Sequence, residues 1–242
     1  MKIVGIIPAR YGSSRFPGKP LIDLKGKSMI QRVYENAKQS IYLSQVIVAT
    51  DDQRIYDHVK SFGGEVMMTS EVHPSGTDRC GEIAKKIYAD VVVNIQGDEP
   101  LLNAAQIDAM LPAFEDPSVQ IATVASPQIT LEDINNPNRV KVVVDLNGNA
   151  MYFSRSPIPN TFHANEEGKN NYPFLKHIGL YAFRKPSLTH LVTLPRTLLE
   201  QTESLEQLRW MYYGYQVRVV KTPIETPNID TPEDVQKVLD LL

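Results

Sequence analysis

Arg10, Arg15 and Lys19 place three cations within ten residues, in the segment IPARYGSSRFPGKP that follows the first apolar run. Gly12 and Gly18 let backbone approach a ligand, Ser13 and Ser14 add donors, and Pro17 and Pro20 stiffen the segment. Cations combined with inward-pointing N–H groups are what a triphosphate needs. The competing reading is a solvated basic connection. A Walker loop does not fit, because the spacing from Gly12 to Gly18 is one residue too long for G-x-x-x-x-G-K and Pro20 stands where the metal-binding hydroxyl belongs. No G-x-G-x-x-G dinucleotide fingerprint occurs either.

The second chemical segment is VVVNIQGDEP, residues 91–100, an apolar run that turns abruptly polar. A carboxylate there can hold magnesium, whose octahedral shell takes one or two carboxylates plus substrate phosphates. Asp98 is the candidate ligand, and Gln96 a donor to a substrate hydroxyl. The alternative is an acidic turn that caps a helix starting near Asn103. Asp230, in NIDTPEDV, reads by its own context as a cap-region residue. HPSGTDR, residues 73–79, is a turn leading into a helix N-terminus, suited to anions or nucleobase edges, or else a plain connecting loop. Arg155 and His177 lie in strand-like apolar surroundings, where an unpaired charge is costly, so each should face a cavity or a partner. His58, His73, His163 and His190 show no metal-ligand spacing, and no Ser-His-Asp or Cys-His set can be assembled.

These residues need a frame, and the first half of the chain supplies one. Strand-like runs at residues 2–8, 45–50, 65–68 and 91–95 alternate with helical patterns, among them Ile30, Val33, Tyr34 and Ala37 after an N-cap at Ser28. Alternation of this kind predicts parallel strands with helices on both faces, and VVVNI fits a strand covered on both sides. Ligands in such sheets bind beyond the carboxyl ends of the strands, which is where the Arg10–Lys19 and Gln96–Asp98 segments fall. The second half predicts a mixed or antiparallel extension from strands at 120–125, 140–145, 150–154 and 175–183. Residues 157–173 lack periodicity and read as a long loop. A helix is expected over 203–213, and another from Thr231, where Thr-Pro-Glu-Asp supplies a cap, a proline at the first helical position and an acidic first turn. Val235, Val238, Leu239 and Leu242 should pack one face of it.

The 242 residues, 42% hydrophobic and 22% charged, suit one α/β domain spanning the whole chain. A net charge of -3 gives no basic field for nucleic acid or anionic membranes, so an anionic substrate must be held by local cations. The apolar start is too short for a membrane span or secretory segment, and the chain reads as cytoplasmic. Cys80, the single cysteine, excludes an internal disulfide and falls on the apolar face of a helix with Ile83, Ala84 and Ile87.

IPARYGSSRFPGKP, HPSGTDR, NIQGDEP, NPNRVKVV, YFSRSPIP, KHIGLYAF, ESLEQLRW and NIDTPEDV occur in this order over nearly the whole chain. In this the chain resembles the 3-deoxy-manno-octulosonate (Kdo) cytidylyltransferases. The related acylneuraminate cytidylyltransferases share the IPAR start but typically continue GGSKG. The resemblance implies a nucleotide-diphospho-sugar transferase fold and a homodimer that makes CMP-Kdo from CTP and Kdo for lipopolysaccharide. It implies that Arg10 and Lys19 hold the CTP phosphates, with Ala9, Ser13, Ser14 and Arg15 from the same loop. Ser75, Gly76 and Arg79 would meet the cytosine and ribose. It assigns Asp98 and Asp230 to Mg2+, against the cap reading of Asp230. Gln96, Arg155, His177, Tyr181, Glu206 and Gln207 would line the sugar pocket, with Arg155 and His177 suited to the Kdo carboxylate. CMP-sialate synthesis, or glycosyl transfer from a nucleotide-sugar donor, are the alternatives.

Overall fold

The computed structural model describes residues 1–12 and 16–242, excepting the side chains of residues 169 and 170; Ser13, Ser14 and Arg15 lie outside the described residues. In chain order the strands are β1 (Ile3–Ala9), β2 (Asp23–Leu24), β3 (Lys27–Ser28), β4 (Leu43–Thr50), β5 (Val66–Met68), β6 (Val91–Asn94), β7 (Ile121–Ser126), β8 (Lys141–Val144), β9 (Ala150–Ser154), β10 (Lys176–Arg184) and β11 (Val217–Lys221). The helices are α1 (Met29–Ala37), α2 (Gln53–Ser61), α3 (Gly76–Lys86), α4 (Ala104–Met110), α5 (Leu131–Asn135), α6 (Glu166–Asn171), α7 (Lys185–Leu191), α8 (Leu198–Glu203), α9 (Gln207–Tyr212) and α10 (Pro232–Leu239). They form two compact units. The first comprises Met1–Leu111, Leu180–Val192 and Thr226–Leu242, the second Pro112–Gly179 and Thr193–Glu225.

In the first unit β6, β1, β4 and β5 pair in parallel, with Val4 opposite both Gln45 and Val92. The end of β10 adds an antiparallel neighbour to β6, from Tyr181 opposite Asn94 to Arg184 opposite Val91. Val91, Val92 and Val93 have no exposed surface, as expected of a strand covered on both faces. Because β1 and β6 are adjacent and parallel, their carboxyl ends open at the same edge of the sheet. The caps agree with the residues. Ser28 accepts from Gln31 N at the start of α1, and Thr231 with Asp234 forms a capping box ahead of Pro232 in α10. Val238 is fully buried with Leu24, Met29 and Ile229, and Val235 and Leu239 pack against that cluster. Leu242, expected on the same face, is 38% exposed beyond the helix end.

The second unit is less regular. β8 and β9 form an antiparallel hairpin, and β11 pairs in parallel with β7. The sequence reading missed β11, and it expected fewer helices. Residues 157–173 contain α6, started by Asn165, whose side chain accepts from Gly168 N. The helix expected over 203–213 is α9, shorter at its start, and a further helix, α8, precedes it. Thr197 and Glu200 box the start of α8, and Ser204 at φ +53° takes the left-handed conformation that ends it. No helix among the described residues is long and apolar enough to cross a membrane.

Cys80 is buried in α3, as its helical spacing requires. Its neighbour Gly81 is where α3 meets α7: a Cβ there would sit 2.7 Å from Val192 Cγ1. Gly81→Ala should therefore lower stability by about 1–3 kcal/mol, read as a shift in thermal melting. Adding Val192→Ala should restore most of the loss, and failure to restore it would put the cost elsewhere than this contact.

Candidate active site

A cavity of about 240 Å³ opens at that edge of the first unit's sheet. Pro8, Ala9 and Arg10 reach it from the end of β1, Gln96, Gly97 and Asp98 from the end of β6, and Ser75, Gly76 and Arg79 from the start of α3. Lys19 and Asp230 line it as well. The wall is built by close approach of backbone. A Cβ on Gly97 would stand 2.8 Å from Pro8 O, and one on Gly76 would stand 3.0 Å from Pro8 Cγ. Only glycine lets both segments close on Pro8.

Lys19 joins three parts of the chain. Its Nζ donates to Asp98 Oδ2 at 2.9 Å and to the carbonyl of Ile229 at 2.7 Å, while Ile229 N donates to Asp98 O at 2.9 Å. The segment before α10 is thereby tied to the β6 turn, and Asp230 enters the cavity. Asn228 Nδ2 donates to Asp230 Oδ2 at 2.7 Å, and Asp234 Oδ2 accepts from Asp230 N at 3.2 Å. The helix cap is Thr231 with Asp234, as the sequence indicates; Asp230 lies just before it, in the cap region, and also lines the cavity. The other acid of the β6 turn is Glu99. Its burial, then the neighbouring Asp98, push it up to about 8 against the lowering effect of the Thr226 hydroxyl, so it largely keeps its proton at neutral pH.

Among the described residues no group of three or more His, Cys, Asp or Glu could hold a metal alone. Asp98 and Asp230 do share the cavity. Two hard carboxylates beside cations suit magnesium, which completes its shell with water and phosphate oxygen.

Ser75 accepts from Asp78 N at 3.1 Å, capping α3, so Ser75 and Gly76 bring a helix N-terminus to the cavity. Arg79 lines it too, but its guanidinium is bound to Asp51 Oδ2 at 2.8 Å, to Thr69 Oγ1 and to the carbonyl of Ser70. It shapes the wall rather than offering a spare charge. His73 also lines the cavity, its Nε2 bonded to Glu82 Oε2 at 2.5 Å. The residues had shown His73 only in a candidate ligand loop, without a role of its own.

Of the sugar-pocket candidates, Gln96 and Tyr181 belong to the first unit. Gln96 lines the cavity, and Tyr181 is buried, stacked on Phe183 with centroids 6.0 Å apart. Arg155, His177, Glu206 and Gln207 belong to the second unit. There Arg155 Nε donates to Glu203 O at 2.8 Å, Nη1 to Pro137 O at 2.9 Å and Nη2 to Ser204 O at 3.2 Å. This guanidinium braces three carbonyls, a different occupation from gripping a substrate carboxylate. His177 differs from its expected role in charge. Desolvation pushes it down to about 3, so the ring, bonded to Thr123 Oγ1 at 3.0 Å and edge-on to Phe153, is neutral. It offers a hydrogen bond and no cation. Glu206 is paired with Arg209 at 2.9 Å, and Gln207 is buried at the start of α9.

Residues 4–222 match the family described as Cytidylyltransferase. The 3-deoxy-manno-octulosonate cytidylyltransferase of Parabacteroides distasonis is 52% identical, covering 100% of this chain and 98% of that one. That of Geobacter sulfurreducens is 47% identical over the whole of both chains. The solved structure of CMP:2-keto-3-deoxy-manno-octonic acid synthetase complexed with CTP superposes with a TM-score of 0.93 at 44% identity, over 100% of this chain and 98% of that one. Matched along its full length by these relatives and over residues 4–222 by the family, this chain belongs to the 3-deoxy-manno-octulosonate cytidylyltransferase family.

Proposed function

We propose that the chain transfers the cytidylyl group of CTP to Kdo. The anomeric hydroxyl of the sugar attacks the α-phosphorus; a P–O bond forms to the sugar, the bond to the α,β-bridging oxygen breaks, and pyrophosphate leaves. The hydroxyl proton passes to solvent. The observation that carries this reading is the convergence of Arg10, Lys19, Asp98 and Asp230 on one cavity at the strand ends. Catalysis of this kind is chiefly placement and charge stabilisation. Arg10 and Lys19 hold phosphate oxygens, the positive end of the α3 dipole lies beside them, and Gln96 donates to the sugar. Asp98 and Asp230 would hold Mg2+, which supplies neutralisation of the phosphate charge when bound. The contribution of the second unit's Arg155, His177, Glu206 and Gln207 to sugar binding rests on the family resemblance. So do a cytoplasmic location, a homodimer and a place in lipopolysaccharide synthesis.

Pyrophosphate release measured across the four nucleoside triphosphates, with Kdo, sialic acid or a sugar phosphate as acceptor, should require CTP, Kdo and magnesium together. Comparable turnover with sialic acid, or in chelator, would refute the reading.

Asp98→Asn exchanges a hard anionic ligand for a weak one and removes the partner of Lys19. Turnover should fall by about 100-fold or more. Calorimetric titration of the CTP-bound protein should show magnesium binding weakened in parallel. Normal magnesium affinity would remove Asp98 from the metal site.

Lys19→Ala removes a charge-assisted contact worth about 1.5–3 kcal/mol. The loss in kcat/KM for CTP should be roughly 10- to 150-fold, whereas a solvated basic loop would lose less than about threefold by the surface-pair standard.

A further inference from the structure

Neither Tyr11 nor Arg54 lines the cavity, yet they form a tight contact beside it. The guanidinium carbon of Arg54 lies 3.3 Å from the centroid of the Tyr11 ring. Two bonds to Asp52 keep the guanidinium plane in place, Nε to Oδ1 at 3.0 Å and Nη2 to Oδ2 at 2.6 Å. Asp52 is itself fixed as the N-cap of α2, accepting from Arg54 N at 2.9 Å, and α2 packs against the turn Lys19–Leu21.

The same ring lies against Gly18. A Cβ on Gly18, whose φ is +74°, would stand 3.1 Å from Tyr11 Cζ, and Gly18 N donates to Tyr11 O at 3.0 Å. Tyr11 directly follows Arg10, and Gly18 directly precedes Lys19. One aromatic ring therefore touches both ends of the segment that carries the two cavity-lining cations. The distance between Arg10 and Lys19 cannot change without disturbing the Tyr11–Gly18 contact.

We propose that Tyr11 and Arg54 are positioning residues for phosphate binding: the guanidinium stacked on the ring fixes Tyr11, and Tyr11 fixes the spacing of Arg10 and Lys19. This rests on the reading that the cavity takes the CTP phosphates. A planar guanidinium can stack on an aromatic face while bonded edge-on to a carboxylate, which an ammonium cannot do. The Arg54 side chain is 60% exposed, so its removal should cost little stability. Its effect should instead appear in nucleotide affinity.

The test is calorimetric titration of CTP into sugar-free protein, with thermal melting and the KM of each substrate measured alongside. Arg54→Ala and Arg54→Lys should each weaken CTP binding by roughly 2- to 5-fold, with melting and the KM for Kdo unchanged. Tyr11→Phe should bind CTP as the parent does, and Tyr11→Leu should bind it less tightly. In the Tyr11→Leu background, Arg54→Ala should add nothing, because the two act through one contact. Unchanged CTP affinity in Arg54→Ala, full rescue by Arg54→Lys, additive losses in the double variant, or an equal rise in both KM values would overturn the proposal. Should Tyr11→Leu fail to fold, the two Arg54 variants decide alone. Lys19→Ala separates the levels: if it leaves CTP affinity intact, the cavity reading itself fails, and if it weakens CTP while Arg54→Ala does not, only the positioning role fails.

Discussion

The Lys19 ammonium, held between the Asp98 carboxylate and the Ile229 carbonyl, is the contact on which the rest of the site depends. It is 14% exposed, and a cation so far removed from water needs an opposite charge and hydrogen-bond acceptors at hand. Those acceptors come from two segments distant in sequence. Satisfying the lysine consequently draws the loop after β1, the turn after β6 and the chain entering α10 into one place. Ile229 N closing on Asp98 O makes the arrangement reciprocal, and Ile229 is anchored below by Leu24, Met29 and Val238. An electrostatic need and an apolar cluster act here on the same few residues.

In the second unit charge is handled by a different rule, with cations spent on backbone carbonyls and buried acids. Lys141 has no exposed surface, and its Nζ donates to the carbonyls of Asn136, Arg139 and Arg155 at 2.6–3.0 Å. Burial, together with Arg155, lowers its pKa. Arg209 pairs with Glu200 at 3.0 Å, both almost fully buried. Such groups hold irregular chain together where strand pairing is short, because each donor replaces a bond that the loop backbone cannot make to a neighbouring strand. Arg155 belongs with them in this structure. Its strand-like apolar context did indicate a partner, and the partners proved to be carbonyls of its own unit.

Much of the frame was legible from local pattern. Alternating apolar runs and helical periodicity located β1, β4, β5 and β6, and Ser28 and Thr231 announced their helices through side-chain chemistry confined to three or four residues. The misses share a cause as well. α8 and α6 were missed because each is a single short helix of six residues, too brief for an apolar period to show. β11 is a five-residue strand that pairs with β7 from nearly a hundred residues away. The Tyr11–Arg54 stack had no sequence signal, since the two residues are separated by 43 positions and belong to different elements.

By itself the sequence determined the parallel α/β class, the placing of cations and carboxylates after strands, and membership in a family whose motifs run in order along the chain. These follow from periodicity and turn chemistry, which act over a few residues. Only the tertiary structure decided that Asp230, just ahead of its helix, lines the cavity, that Arg79 is already neutralised by Asp51, and that His177 is uncharged. Those are matters of which distant group stands within 3 Å and how much water is excluded, and residue type alone carries neither.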